Sequence, residues 1–331
     1  MITVCAAAPS QVCKLPVSNQ SGNVAKLADG FLSEREFSGV VLVARNGRVL
    51  FEKAYGLANR ELAVPNKLET KFRLGSVTKQ FTAMAIMILA ERGKVRLSEP
   101  ICDYIENCPK TWAAVTVRHL LTHTSGIPSF TELPDNDHYE RLPMTPLATI
   151  ARFRDKPLEF APGDRFTYSN SGYLLLGYII ERASGEKYED FLRKNIYEPL
   201  GMLDSGYDHP SVVLKDRASG YAKEKGHVVN AMYMEMDTPF GGGSMYSTVG
   251  DLLRWDQALY TEKLVSEKSL AQIFNPTQVP YPKGWWSRHK YGFGWFLTKW
   301  FGRNLIWHEG GPRGFASGIL RYPEDRSCSS T

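Results

Sequence analysis

Ser76 and Lys79 lie in the run Leu74-Gly75-Ser76-Val77-Thr78-Lys79, directly before the apolar stretch Phe81 to Ala90. On a helix, residues three apart share one face and stand about one turn from each other. A serine hydroxyl there could pass its proton to a neutral amine. Lysine supplies such an amine when burial or a neighbouring cation lowers its pKa. The chemistry on offer is that of a serine nucleophile. Ser-x-x-Lys arises by chance about once in a chain of this composition. It occurs three times here, at Ser76/Lys79, Ser184/Lys187 and Ser287/Lys290. Ser184-Gly185 follows the apolar stretch Tyr173 to Ile180 and reads as a helix end. Ser287 sits in a polar stretch running to Lys290. Only Ser76 heads a long apolar helix. Taken alone, even that motif reads more simply as a helix cap at Ser76, with Lys79 solvated in the first turn.

Two rarer patterns stand beside it. Tyr168-Ser169-Asn170 is the only Tyr-x-Asn among sixteen tyrosines, and His308-Glu309-Gly310 is the only His-x-Gly. Each has a plain reading in isolation: a half-buried aromatic with a satisfied hydroxyl, and a strand histidine bonded to backbone. The case for chemistry rests on their occurring in order with the Ser76 helix.

Other chemistries fail on residue type. No Gly-x-Ser-x-Gly occurs, so the α/β-hydrolase nucleophile elbow is absent. Neither phosphate-cradling glycine motif occurs. His308-Glu309 begins like the zinc motif His-Glu-x-x-His, but Pro312 stands at the second histidine and breaks the required helix. His119 and His123 are four apart, yet Thr122 to Gly126 reads as a helix end, so no metal site is expected.

Several elements must hold these residues. Val24, Leu27, Ala28, Phe31 and Leu32 follow the spacing of an amphipathic helix. Two apolar runs, Gly39 to Arg45 and Arg48 to Tyr55, flank Asn46-Gly47, which predicts an antiparallel hairpin. The helix after Ser76 is apolar all round and hence central, with Gly93 as its stop. Residues 94 to about 160 read as short helices and loops, including Thr116 to Leu121. Helices follow at Tyr173 to Arg182, Tyr188 to Ile196 and Leu252 to Tyr260. Strands are expected at Tyr291 to Leu297, Asn304 to Trp307 and Phe315 to Tyr322. Strands at both ends with helix between predict an α+β fold: an antiparallel sheet built from N- and C-terminal segments, flanked by helices, with an inserted mostly helical domain. The expected division is 20–75 with 236–331 for the sheet domain and 76–235 for the helical one. The active site would lie between them, and residues 1–19 would form a poorly ordered tail.

The chain of 331 residues, 43% hydrophobic and 23% charged, can bury a large core. A net charge of +5 without a block of like charges gives nucleic-acid binding no support. The longest apolar run, about ten residues, is too short to span a bilayer. Met1 to Cys13 lack a basic n-region and a sustained apolar region, so either no secretory signal exists or one was removed. The compartment is cytoplasmic in the first case and periplasmic or extracellular in the second. The five cysteines form no Cys-x-x-Cys pair. Cys102 and Cys108 could bridge a short loop, but two free thiols are expected.

From about Ser38 to Asp325 the chain resembles the serine β-lactamase and penicillin-binding protein superfamily, in its class C β-lactamase-like branch. That branch includes class C β-lactamases, D-alanyl-D-alanine carboxypeptidases, D-aminopeptidases, family VIII carboxylesterases and LACTB-type proteases. The resemblance rests on Ser76-Val77-Thr78-Lys79, Tyr168-Ser169-Asn170 and His308-Glu309-Gly310 in order. Leu120 to Gly126, Gly242-Gly243-Ser244, Tyr291 to Trp295 and Gly314-Phe315 support it. The resemblance implies that Ser76 attacks a carbonyl and forms an acyl-enzyme. Lys79 and Tyr168 would share proton transfer, either of them being the base that activates Ser76. Asn170 would bond Lys79 and substrate, and His308 would line the site from its strand. The N–H groups of Ser76 and Gly311 would form the oxyanion hole, with Gly310 admitting substrate close to the strand. No cofactor is implied.

Two departures shape the expectation. Authentic class C β-lactamases carry Lys-Thr-Gly at the third motif. Here a histidine would be a weaker, pH-dependent anchor for a β-lactam carboxylate, and Glu309 adds negative charge. The expected activity is therefore a carboxylesterase on small acyl esters. A D-amino-acid peptidase or DD-carboxypeptidase, a weak β-lactamase and a penicillin-binding-like binding protein are the alternatives. Secondly, the resemblance implies a further strand and closing helix after Phe315 to Tyr322, where Arg326 to Thr331 reads as a polar tail. A sheet without that edge strand would invite pairing, so a homodimer or strand exchange is expected.

Overall fold

The computed structural model describes residues 20–284 and 288–331. The expected tail at 1–19, with Cys5 and Cys13, and Ser287 of the Ser287/Lys290 match lie outside the described residues.

Asn46 and Gly47 both take positive φ, 53° and 72°, and join strands β1 (Gly39–Arg45) and β2 (Arg48–Tyr55) as the expected hairpin. Five C-terminal strands complete the sheet: β3 (Lys290–Tyr291), β4 (Phe296–Trp300), β5 (Arg303–Gly310), β6 (Ser317–Tyr322) and β7 (Ser327–Ser330). The order is β3-β4-β5-β6-β7-β1-β2, with every pair antiparallel. N- and C-terminal segments thus form one sheet. Helix α1 (Gln20–Ser33) is tied to β2 through Asp29, which accepts from Lys53 and from Tyr55, each at 2.6 Å.

Strand β7 corrects the expectation of a polar tail. Ser327 to Ser330 pair with Arg45 to Leu42 on one side and Tyr322 to Ile319 on the other. Three serines and a cysteine carry little strand propensity, and pairing on both edges overrides it. Cys328 and Ser330 alternate into the interior. The place between β6 and β1 is filled, so the expectation of an open edge there, and of pairing driven by it, loses its basis. Edge strand β2 carries the exposed charges of Arg48, Glu52 and Lys53, which discourage strand addition.

Helix α2 (Thr78–Glu91) is buried from Thr78 to Leu89 and forms the centre of the main core. Truncating one of its large apolar side chains, such as Met84→Ala, should cost about 2–5 kcal/mol. Helix α3 (Asn170–Ser184) packs beside it, capped by Gly185 at φ 75°. The Ser184/Lys187 motif is this helix end: Ser184 donates to the Ile180 carbonyl at 2.6 Å. Helix α4 (Val249–Ala258) is capped by Thr248, and Phe81 of α2 stacks on its Trp255 at 4.3 Å.

Cys102 and Cys108 form a disulfide, contrary to the expected free thiols. The 3₁₀ turn Ile101–Asp103 and the following loop bring their Cα atoms to 5.3 Å, within the span a disulfide needs. Cys328 is a buried free thiol.

Candidate active site

Ser76 does not cap α2. It sits in the 3₁₀ turn Gly75–Val77, and the N-cap residue Val77 makes no side-chain cap bond. The turn is fixed from two directions. Leu74 donates its N–H to the Met245 carbonyl at 2.8 Å, and its own carbonyl accepts from the Ser317 hydroxyl at 2.7 Å. Gly310, at the end of β5, lies against the same peptide. A β-carbon there would stand 1.8 Å from the Leu74 oxygen, so only glycine fits. Gly311 follows with open space beside it and lines the cleft, while its nitrogen packs close to Gly75.

Lys79 is fully buried, which excludes the solvated-cap reading. Its Nζ has three close partners: Ser76 Oγ at 2.9 Å, Asn170 Oδ1 at 2.8 Å and the Gly242 carbonyl at 2.9 Å. Asn170 Nδ2 donates to Thr131 Oγ1 at 3.0 Å, and this orients its oxygen toward Lys79. Burial holds the lysine well below its ordinary range and favours the neutral amine. A neutral amine has two N–H donors, which match the two carbonyl oxygens, and one lone pair, which is left for the Ser76 hydroxyl.

Tyr168 stands over this group, with Lys79 Nζ 4.9 Å from its ring centroid and its hydroxyl hydrogen-bonded to Ser76. Burial raises its pKa, so it is a protonated phenol at neutral pH. Hydroxyl, amine, phenol and amide of the first two motifs are therefore brought together.

The third motif stands apart from the cleft. Gly311, the residue after it, lines the cleft, whereas the His308 side chain is buried and turned into an aromatic cluster. Its Nδ1 lies 2.7 Å from the Glu309 carbonyl and must donate, so Nε2 accepts from the Tyr291 hydroxyl at 3.1 Å. Burial pushes its pKa down to about 3, and the ring is neutral.

Two contributors were not among the expected site residues. Gly242 supplies a carbonyl to Lys79, and its signal was the glycine run 241–243. His123 packs on Tyr168 at 4.2 Å between ring centroids. Of the pair once weighed as metal ligands, His119 Nδ1 accepts the Thr116 N–H and His123 Nδ1 accepts the Ser169 N–H.

The cleft beside Ser76 encloses about 260 Å³. Its far wall carries Arg313, which donates to Glu140 at 2.9 Å and to Asp137 at 2.8 Å.

Residues 24–329 match the Beta-lactamase family. The chain belongs to that family. It is similar to a penicillin-binding protein of Bacillus subtilis, 29% identical over 93% of this chain and 70% of the relative. It is also similar to esterase EstB of Burkholderia gladioli, 30% identical over 70% of this chain and 68% of the relative. Among solved structures, a D-amino acid amidase from Ochrobactrum anthropi superposes with a TM-score of 0.80 at 26% identity, covering 94% of this chain and 90% of that one. The chain spans 64%, 70% and 69% of the length of the first three curated relatives. No helix among the described residues is long and apolar enough to cross a membrane.

Proposed function

We propose that this family member is a serine hydrolase that forms an acyl-enzyme at Ser76, acting on small neutral carboxylic esters in a cleft between the sheet unit and the inserted helical unit. The observation that carries the reading is the partner set of Lys79. Two carbonyls take its N–H groups, and the lone pair faces Ser76. Ser76 Oγ attacks the ester carbonyl as its proton passes to Lys79. The developing oxyanion is met by the N–H groups of Ser76 and Gly311. The tetrahedral intermediate expels the alcohol, which takes a proton relayed through the Tyr168 phenol. Water then attacks the acyl-enzyme by the reverse relay and releases the acid.

The choice of a neutral ester follows from the charges. His308 is neutral and faces Tyr291, and Arg313 is engaged by two carboxylates. A substrate carboxylate, as in a β-lactam or a D-alanyl-D-alanine peptide, meets no ready cation. A panel of short-chain p-nitrophenyl esters, nitrocefin and D-alanyl-D-alanine peptides tests this. Esters should lead in kcat/KM by at least about thirtyfold, the factor a missing charge partner costs. A lead for either carboxylate substrate would sink the proposal.

One observation favours a second reading, hydrolysis of amino-acid amides. Glu140 is buried at the cleft wall, and the buried Asn136 Oδ1 beside it lacks a hydrogen-bond partner. Both are acceptors that would suit a substrate ammonium. Likeness to the D-amino acid amidase structure supports this reading too. Faster turnover of amino-acid p-nitroanilides than of their unsubstituted acyl counterparts would favour it.

A further inference from the structure

His123 is an odd choice for its place. It is 1% exposed, and its Nε2 is buried without a hydrogen-bond partner. Its φ is 56°, uncommon for any residue with a β-carbon. An apolar side chain would fill the space without stranding an N–H.

Its other contacts supply a reason. The His123 carbonyl accepts the Thr167 N–H at 2.9 Å, and Nδ1 accepts the Ser169 N–H at 3.1 Å. The two residues flanking Tyr168 therefore hang on one histidine. The imidazole also lies on the Tyr168 ring, at 4.2 Å and 32°. Tyr291 at 4.7 Å, Tyr173 at 5.1 Å and Phe166 at 5.8 Å surround the same imidazole and leave it little room to swing.

We propose that His123 is the positioning residue for Tyr168, holding the phenol within reach of Ser76 by gripping the backbone on both sides and stacking on the ring. This rests on the reading of Ser76 as nucleophile and Tyr168 as its proton-transfer partner. The grip needs a lone pair on Nδ1. Burial holds His123 neutral and preserves it.

Two substitutions separate the parts of the grip. His123→Asn tolerates positive φ and offers an acceptor without a ring. His123→Phe offers the ring without the acceptor. Each is measured for ester turnover alone and with Tyr168→Phe, with melting temperature as the check on folding. Each single variant should lower kcat by about 10- to 100-fold while KM moves less than about threefold. In the Tyr168→Phe background neither should cost more than about twofold, because the group being positioned is gone. Equal losses in both backgrounds, or single variants within about twofold of wild type, would overturn the proposal. Nitrogen NMR of the wild-type imidazole needs no variant to fold. It should show His123 neutral with its proton on Nε2 from pH 8 to 5, and a proton on Nδ1 would overturn the proposal. A wild type that neither hydrolyses esters nor acylates at Ser76 overturns the function reading as well, and shows this before any substitution at His123.

Discussion

Two buried bases lie near this site, Lys79 near the start of α2 and His308 near the end of β5. Burial pushes both pKa values down and favours the neutral form of each. They differ in where the lone pair goes. On Lys79 the oxygens of Asn170 and Gly242 can take two N–H groups, which leaves the third position of the nitrogen, its lone pair when neutral, toward Ser76 Oγ at 2.9 Å. On His308 the lone pair on Nε2 is already occupied by the Tyr291 hydroxyl. Under the proposed mechanism burial alone does not make a base; a lone pair left toward Ser76 does.

That contrast can be broken by substitution. The largest effect is expected at Lys79. Lys79→Met keeps the volume and removes the lone pair, and ester kcat/KM should fall by about 10³- to 10⁴-fold. A loss under tenfold would mean that the amine is not the base. Next comes Tyr168→Phe, with a loss of at least about a hundredfold in kcat. Near-normal turnover would free the phenol of its role. His308→Gln keeps a neutral donor and acceptor in the cluster and should cost less than about tenfold. A loss as large as that of Lys79→Met would erase the contrast.

The smallest effect is on stability. His308 is pushed below its unfolded value of about 6.5, to about 3. Between those values the unfolded chain binds a proton that the native chain refuses, so stability should fall as pH drops from about 6.5 toward 3. The drop in melting temperature from pH 7 to pH 5 should shrink in His308→Gln. An unchanged drop would show that His308 is not among the groups responsible. For activity the sign follows from Lys79. In the proposed mechanism the neutral amine is the working form, so kcat/KM should rise with pH through a midpoint well below that of an exposed lysine.

Much of this was legible in the residues. Asn46-Gly47 carries its own turn geometry, and the all-round apolar pattern after Ser76 marks a central helix. Motif order assembled Ser76, Lys79, Tyr168 and Asn170 because each sits at an element end whose position the pattern fixes. What was not legible depends on distant partners. Ser327 to Ser330 become a strand only because β1 and β6 offer a vacant ladder on both sides. The Cys102–Cys108 bridge depends on a local turn that spacing alone does not specify. The direction of the His308 side chain depends on Tyr291, seventeen residues away and on another strand. His123 was read within a helix-end motif, and its contact with Tyr168 belongs to tertiary packing.

The central claim is that Ser76 carries the acyl group because Lys79 takes its proton. Intact-mass and peptide mass spectrometry after a fluorophosphonate test it most directly. One adduct per chain is predicted, on the peptide that holds Ser76. It should be absent in Ser76→Ala and formed far more slowly in Lys79→Met. No adduct on the wild type, or an adduct on another residue, would contradict the claim.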